Sequence, residues 1–472
     1  MTPLTRQKSV IDGSGALLSE RRLAHELGES LDTSVARLGP CLLENPVSEK
    51  LLGLYRPDDS RRAVLADMDY VNLFTQRGQT VPGFTEAGPR HLLHFDPRSV
   101  RAAVVTSGGI APGLNRVVHS IVQRHYATYG CDVNAGGAVF GVFDGISGLV
   151  GESLDMELLV PALTEPYLDN GGSILGSRRH FKASLEEQAR RVVENLRKEN
   201  INILYVIGGD GSLRAANAVA KLVPEIAVIG VPKTMDNDIL WVAQSFGFST
   251  SVEKATDIIR TLQTEAQSIR RVGIVELFGA ESGFVAANAA HAFGHATLVL
   301  IPEMFAGFKT AEEIEAAVNA CLDHVRQHVR QMQRGSGIIV VAEGVSELMW
   351  QRKVKIGGAE PIRDRFAYQM QDWFRERLVD GRGRDVGTFV NRPRHHIRAI
   401  PPNAFDQTYC DRLGALAVEA GLAGYTRCIV SYWLSEFVLV PLSLIAQAPK
   451  RVTTTGMFWK QIVLSTGQPD LG

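Results

Sequence analysis

From residue 101 onward the chain repeats one arrangement: a short apolar run, a loop rich in glycine or acidic residues, then a stretch with helical spacing. The clearest instance is ILYVIGGDGSLRAANAVAKLVPEIAVIGVPKTMDND at 203–238, where apolar runs 203–207 and 226–231 flank a helix-forming segment. Continuous apolar runs of this length suit strands buried on both faces, as in parallel sheets, and such strands present loops at their carboxyl ends. Earlier, AAVVT leads into SGGIAPGLN and then RVVHSIVQRHYATYG, again strand, loop and helix, and AVFGVFDGISGLV at 138–150 reads as a strand and turn. A helix with Ser184 as N-cap and Glu187 completing a capping box is expected to run to about residue 199.

The pattern restarts near residue 246. SVEKATDIIRTLQTEA places Val252, Ala255, Ile258, Ile259 and Leu262 on one helical stripe, and RRVGIVELFG reads as a strand entering a loop. A long helix over about 311–332 is announced by Thr310 and Glu313, and GIIVVAEGV at 337–345 reads as a buried strand. The helix DQTYCDRLGALAVEAGLAG and apolar segments around 428–444 should return to the first unit. Residues 1–95 differ: 19–27 and 47–52 look weakly helical, 57–62 and 78–89 read as loops, and none of it carries evident chemistry. The expected fold is α/β, with two doubly wound lobes of mainly parallel sheet around a central crevice, plus an N-terminal extension. The corresponding segments are 1–95 as a packing arm, 96–246 and 247–414 as the lobes, and 415–472 as a C-terminal segment returning to the first lobe, part of it completing that lobe.

Composition narrows the function classes. With 472 residues, 45% apolar and 21% charged, the chain is long enough for two domains and has a globular make-up. Lys plus Arg total 50 against 51 Asp plus Glu, so no global basic field calls for nucleic acid or an acidic membrane surface. No uninterrupted apolar stretch reaches membrane-spanning length, and no signal-peptide order is present, so a cytoplasmic location is expected. The five cysteines have no metal-ligand spacing and are expected to pack as free thiols.

The candidate chemistry lies in the two central loops. In Gly208-Gly209-Asp210-Gly211-Ser212, glycines let backbone N–H groups approach an anion, and the following helix offers its positive end. Pro232-Lys233-Thr234-Met235-Asp236-Asn237-Asp238 sets two carboxylates two residues apart beside a lysine and a hydroxyl. One carboxylate can support metal or partner while the other takes a proton from an attacking hydroxyl. Either loop alone is commonly a plain solvated turn; the two together, on consecutive strands, point to phosphate chemistry.

These motifs, with TSGGIAPGLN at 106–115, FGFSTSVEKA at 246–255 and IRAIPPNAFDQTYCDRLG at 397–414, resemble the phosphofructokinase family, nearest its long branch of plant and trypanosomatid ATP-dependent enzymes. The resemblance implies Mg-ATP as donor, a sugar phosphate as acceptor, and a homodimer or homotetramer. It implies Asp236 as general base, with Asp238, Thr234 and Arg178 also catalytic, and Asp210 as the partner of Mg²⁺. Gly108, Gly109, Gly209, Gly211, Ser212 and Lys233 would bind the donor's phosphates. Arg271, Phe278, Gly279, Glu343, His395 and Arg398 would bind the acceptor, Arg271 from a neighbouring subunit. By the same resemblance Gly211 rather than aspartate speaks for ATP, and Lys233, typical of pyrophosphate users, also occurs in the ATP-dependent branch, so the two together favour ATP.

Three positions depart from the family pattern. Ala280 stands in place of an arginine, Phe389 in place of a basic residue, and Ile146 in place of an aromatic that packs on adenine. Lys233 is a candidate to compensate at the first, and Arg392 or Arg394 at the second. Adjacent His395 and His396, taken as strand residues, would point to opposite faces and so form no chelating pair. The alternatives left by these departures are a pyrophosphate donor, another sugar phosphate or a cyclitol as acceptor, and a ligand-binding paralogue without turnover. A dinucleotide-binding oxidoreductase is disfavoured, because no GxGxxG follows a strand with an acidic residue at the right distance.

Overall fold

The computed structural model describes residues 20–47, 54–178, 184–445 and 447–471. Its strands of three or more residues, in chain order, are β1 (Arg61–Ala63), β2 (Gly83–Glu86), β3 (Arg101–Ser107), β4 (Ala138–Val142), β5 (Met156–Leu159), β6 (Ile203–Gly208), β7 (Ala227–Pro232), β8 (Arg271–Leu277), β9 (Leu298–Leu300), β10 (Gly337–Ala342), β11 (Gly387–Asn391), β12 (Cys428–Trp433) and β13 (Glu436–Pro441). Helices used below are α1 (Leu114–Gln123), α2 (Leu185–Lys198), α3 (Asp210–Ala220), α4 (Phe248–Ile269), α5 (Phe284–Phe293), α6 (Ala311–Gln331), α7 (Glu343–Arg352) and α8 (Ala404–Leu422).

Among the described residues the first lobe is a nine-stranded sheet ordered β1-β2-β13-β12-β7-β6-β3-β4-β5. Its centre, β12 to β4, is parallel, and antiparallel strands close both edges. The runs 203–208 and 227–232 are buried throughout because helices cover both faces. Leu204, Val206 and Val228 pack with Val192 of α2 and Leu213 of α3 on one side. Ile203, Tyr205 and Ile229 pack with Val117 of α1 and Leu413 of α8 on the other. The second lobe is a parallel sheet ordered β9-β10-β8-β11, wrapped around its own core.

Register matters more here than strand count. Gly208 pairs level with Ser107 on one side and with Pro232 on the other, so β3, β6 and β7 end at one height. Chain order reverses direction between β3 and β6, and a switch point of this kind opens a crevice beyond the carboxyl ends of an α/β sheet. The glycine loops after β3 and β6 and the acidic loop after β7 therefore emerge side by side. In the second lobe Leu277 pairs with Ala342, which sets the loop after β8 beside Glu343.

Several expectations are altered. The segments 57–62 and 78–89, expected as loops, contain β1 and β2, which pair with each other and, through β2, with β13. Their ladder partner lies some 350 residues away in sequence, so the short runs RRA and GFTE hold no local signal of it. The extension thereby becomes part of the first lobe's sheet, anchored further by Trp433 Nε1 donating to the Val64 carbonyl at 2.7 Å. The helix expected at 47–52 lies almost wholly outside the described residues. His395 and His396 sit on a 3-10 turn, not a strand. Thr310 and Glu313 do form the reciprocal capping box of α6, and Ser184 accepts from the Glu187 N–H at 3.2 Å.

Candidate active site

The loops converge on a cleft of about 470 Å³ between the lobes. From the first lobe it is lined by Gly109, Gly209, Asp210, Gly211, Lys233, Thr234, Asp236 and Asp238. Phe278, Ala280, Glu343 and Arg398 line it from the second lobe.

The acidic loop is held from several directions. Within it, Thr234 Oγ1 accepts from the Asp236 N–H at 3.0 Å and lies 3.4 Å from Asp236 Oδ2. Asn237 adopts φ +54° and its Oδ1 accepts from Ser245 N–H, while Ser245 Oγ donates to the Thr234 carbonyl at 2.5 Å. Ser282 of the second lobe donates to the Asp236 carbonyl at 2.9 Å, and Lys450 N–H donates to the Asp238 carbonyl at 2.8 Å. Such a network fixes the carboxylate in place before any ligand binds.

Asp236 touches the cleft yet is surrounded by protein, and its carboxyl is pushed up to about 7. Loss of hydration is the main cause, followed by the charges of Asp238 and Glu343; Lys233 and the Thr234 hydroxyl pull the other way. A carboxyl titrating near neutrality is suited to accept a proton from a hydroxyl. Glu343 is also raised, chiefly by burial, although its Oε1 accepts from the N–H groups of Gly279 (3.4 Å) and Ala280 (2.9 Å). Those bonds tie the first turn of α7 to the loop after β8. Phe278 offers its ring to Arg398, whose guanidinium carbon lies 4.7 Å from the ring centroid, and His395 packs on the same ring edge-on.

Asp210 opens α3 and pairs with Arg214 one turn later. Among the described residues no group of three or more His, Cys, Asp or Glu side chains converges to cage a metal. A single loop carboxylate fits Mg²⁺, which keeps waters and is commonly bound through one or two carboxylates plus substrate phosphates.

Other expected site residues sit elsewhere. Ser212 is buried and occupied: its N–H donates to the Gly209 carbonyl and its hydroxyl donates to Ser107 Oγ at 3.0 Å, stitching β3 to α3. Gly108, with φ +92°, turns the first loop one residue before the lining. Gly279 likewise lies between two lining residues. Arg178 is exposed, pairs with Asp144 at 3.3 Å, and does not line the cleft. Arg271 begins β8, at the opposite end of the strand from the cleft, and is exposed. His395 is exposed and reaches the site only through Phe278.

Two of the departing positions, and the residues expected to compensate, have structural accounts. Lys233 is buried and its Nζ donates to the Gly109 carbonyl. Arg392 is paired with Glu276 and Asp364, and Arg394 with Asp364, so neither guanidinium lines the cleft. Phe389 lies over Gly273, where a Cβ would stand 2.7 Å from its ring. Ile146 faces an apolar pocket with Leu149, Ala215 and Val219.

Sequence reasoning missed Arg214, Glu281, Pro449 and Arg451, which also line the cleft. Arg214 had a signal, being four residues beyond Asp210 on an expected helix. The others had none.

Comparison with known proteins decides the family. Residues 101–421 match the sequence model described as Phosphofructokinase. The chain is 32% identical over 459 residues to an ATP-dependent 6-phosphofructokinase of Borreliella burgdorferi, covering 93% of this chain and 98% of that one. This chain belongs to the phosphofructokinase family. An ATP-dependent 6-phosphofructokinase of Amycolatopsis methanolica is 32% identical over 465 residues, covering 93% of this chain and 95% of its own. Among solved structures, the pyrophosphate-dependent phosphofructokinase of Marinobacter aquaeolei superposes with a TM-score of 0.58 at 20% identity, over 78% of this chain and 91% of that one, a likeness of fold. As a phosphofructokinase the chain is a phosphotransferase with an alcohol acceptor, and its two α/β lobes are those of the family.

Proposed function

We propose that this phosphofructokinase transfers the γ-phosphoryl group of Mg-ATP to O1 of fructose 6-phosphate, giving fructose 1,6-bisphosphate and ADP in glycolysis. The observation that carries the reading is the level ending of β3, β6 and β7, which brings the glycine loops and the Asp236 loop to one cleft facing Glu343 and Arg398. Asp236 takes the proton of the O1 hydroxyl as that oxygen attacks phosphorus, and the bond from phosphorus to the bridging oxygen breaks. Asp238 and Thr234 support the base, Glu343 accepts from sugar hydroxyls, and Arg398, with Phe278, Gly279 and His395 around it, receives the sugar's phosphate. Gly108, Gly109, Gly209, Gly211 and Lys233 build the donor's phosphate cradle, Ser212 braces it from within through Ser107, and Arg178 would have to leave Asp144 to reach it. Asp210 would hold Mg²⁺, which would supply neutralisation of the phosphate charge.

Two observations favour ATP as donor. A Cβ at Gly211 would meet nothing within 4 Å, so the loop leaves open the space that a nucleotide's inner phosphate needs. The similar proteins of Borreliella burgdorferi and Amycolatopsis methanolica are ATP-dependent by name. On the side of pyrophosphate stand the buried Lys233 and Ile146, which replaces the aromatic expected at the adenine. Arg271, far from its own cleft, fits contribution to a neighbouring copy's site, and hence a homodimer or homotetramer. No described helix is long and apolar enough to cross a membrane; a cytoplasmic location belongs to the same proposal.

The test is phosphoryl transfer to fructose 6-phosphate with Mg²⁺, supplying ATP in one reaction and pyrophosphate in another. Turnover with ATP alone is expected. Turnover with pyrophosphate alone would reverse the donor assignment, and silence with both would remove fructose 6-phosphate as acceptor.

A further inference from the structure

A short strap at residues 449–452 crosses between the lobes beside the cleft. Pro449 bridges to Ile239, and Lys450 N–H holds the Asp238 carbonyl, while Lys450 Nζ donates to the carbonyls of Val242 (2.7 Å) and Ala243 (3.0 Å). Beyond it, Val452 N–H donates at 3.1 Å to Glu303 Oε1, a buried carboxylate that also accepts from Gly283 N–H at 2.9 Å. Arg451 thus has its backbone anchored on both sides, to the acidic loop and to the second lobe. Its side chain lines the cleft and is only 11% exposed, and Nη2 pairs with Glu281 Oε2 at 2.8 Å.

That pair is unequal, because the Glu281 side chain is 71% exposed. An ion pair with a hydrated carboxylate contributes little net stability and is readily exchanged for a better anion. The other cations lining the cleft are engaged differently: Lys233 with the Gly109 carbonyl, Arg214 with Asp210, and Arg398 on the Phe278 ring. Arg451, Arg214, Glu281 and Pro449 also border the adjoining cavity, so Arg451 shares that wall with Arg214, the partner of Asp210. The cleft carries Asp210, Asp236, Asp238, Glu281 and Glu343, so a polyphosphate entering it needs cations at the wall, and a guanidinium suits phosphate oxygens.

We propose that Arg451 binds the phosphoryl group being transferred, exchanging Glu281 for phosphate oxygens when the donor enters. This rests on the kinase reading above. A guanidinium can engage two phosphate oxygens at once, and its anchored backbone sets where that group lies relative to Asp236.

Arg451→Gln, Arg451→Lys and Glu281→Gln test it, by steady-state kinetics and by calorimetric binding of a non-hydrolysable ATP analogue with Mg²⁺ and, separately, of fructose 6-phosphate. Arg451→Gln is expected to weaken analogue binding and kcat/KM roughly 10- to 100-fold, with fructose 6-phosphate affinity and the melting temperature little changed. Arg451→Lys should recover part of the loss. Glu281→Gln, which frees the guanidinium, should tighten analogue binding. Equal analogue affinity in wild type and Arg451→Gln, or a loss confined to fructose 6-phosphate, overturns the assignment, as does unchanged or weaker analogue binding in Glu281→Gln. Absence of turnover in wild type would defeat the kinase reading instead, and the analogue titrations would still decide the role of Arg451.

Discussion

Asp236 shows how one side chain trades stability for reactivity. In an unfolded chain an aspartate titrates near 3.9, whereas here burial and neighbouring carboxylates push it up to about 7. Because the folded state holds the proton more tightly, this group favours unfolding increasingly as pH rises from about 4 to about 7. Asp236→Asn should therefore melt at the wild-type temperature near pH 4 and at a higher one above pH 7, which differential scanning calorimetry across that range will show. The same variant should lose about 10²- to 10⁴-fold in kcat. In wild type, kcat/KM should rise with pH through about 7 as the base deprotonates, and that limb should vanish in the variant. Sequence exposed Asp236 and Asp238 through their spacing. It did not reveal that Ser212, one residue from the lining glycine, turns inward to Ser107, because which way a helix's first turn faces depends on what packs against it.

At the scale of elements, the strap and the loop after β8 share one anchor. Glu303 Oε1 accepts from both Gly283 N–H, at the start of α5, and Val452 N–H, and burial raises its carboxyl. Glu303→Ala would orphan two buried donors and cost about 2–6 kcal/mol, measurable as a lower denaturant midpoint. Glu303→Gln retains an acceptor and removes a desolvated charge, so it should stay near wild type. A larger loss for Gln than for Ala would show that the charge itself holds the strap. Elements with strong local periodicity, α4 and α6 among them, were legible in advance. The strands β1 and β2 were not, since each is only a few residues long and is stabilised by a partner from the other end of the chain.

For the whole molecule, the placement of Arg271 sets the question. It starts β8, and at about 3.3 Å rise per residue it stands roughly 20 Å from the loop that ends the strand. If it serves a neighbour's cleft, then Arg271→Ala and Asp236→Asn, each nearly inactive alone, should regain activity when co-expressed, because one mixed site receives both intact residues. Sedimentation should show a dimer or tetramer in every case. No recovery in mixed oligomers would confine the site to a single chain.

The alternation of apolar runs with glycine and acidic loops was enough to determine an α/β fold with two lobes and to mark both central loops, since parallel strands buried on both faces must be continuously apolar and must place their loops at one edge. Tertiary structure alone decided the rest. Arg214 and Glu281 reach the cleft because of where α3 and the loop after β8 pack, and Arg451 because a strap without a motif runs between two anchors. It also decided that Arg392, Phe389 and Ile146 face other surroundings. Which groups share a cleft is set by strand register and lobe packing, contacts between residues far apart in sequence that no local pattern encodes.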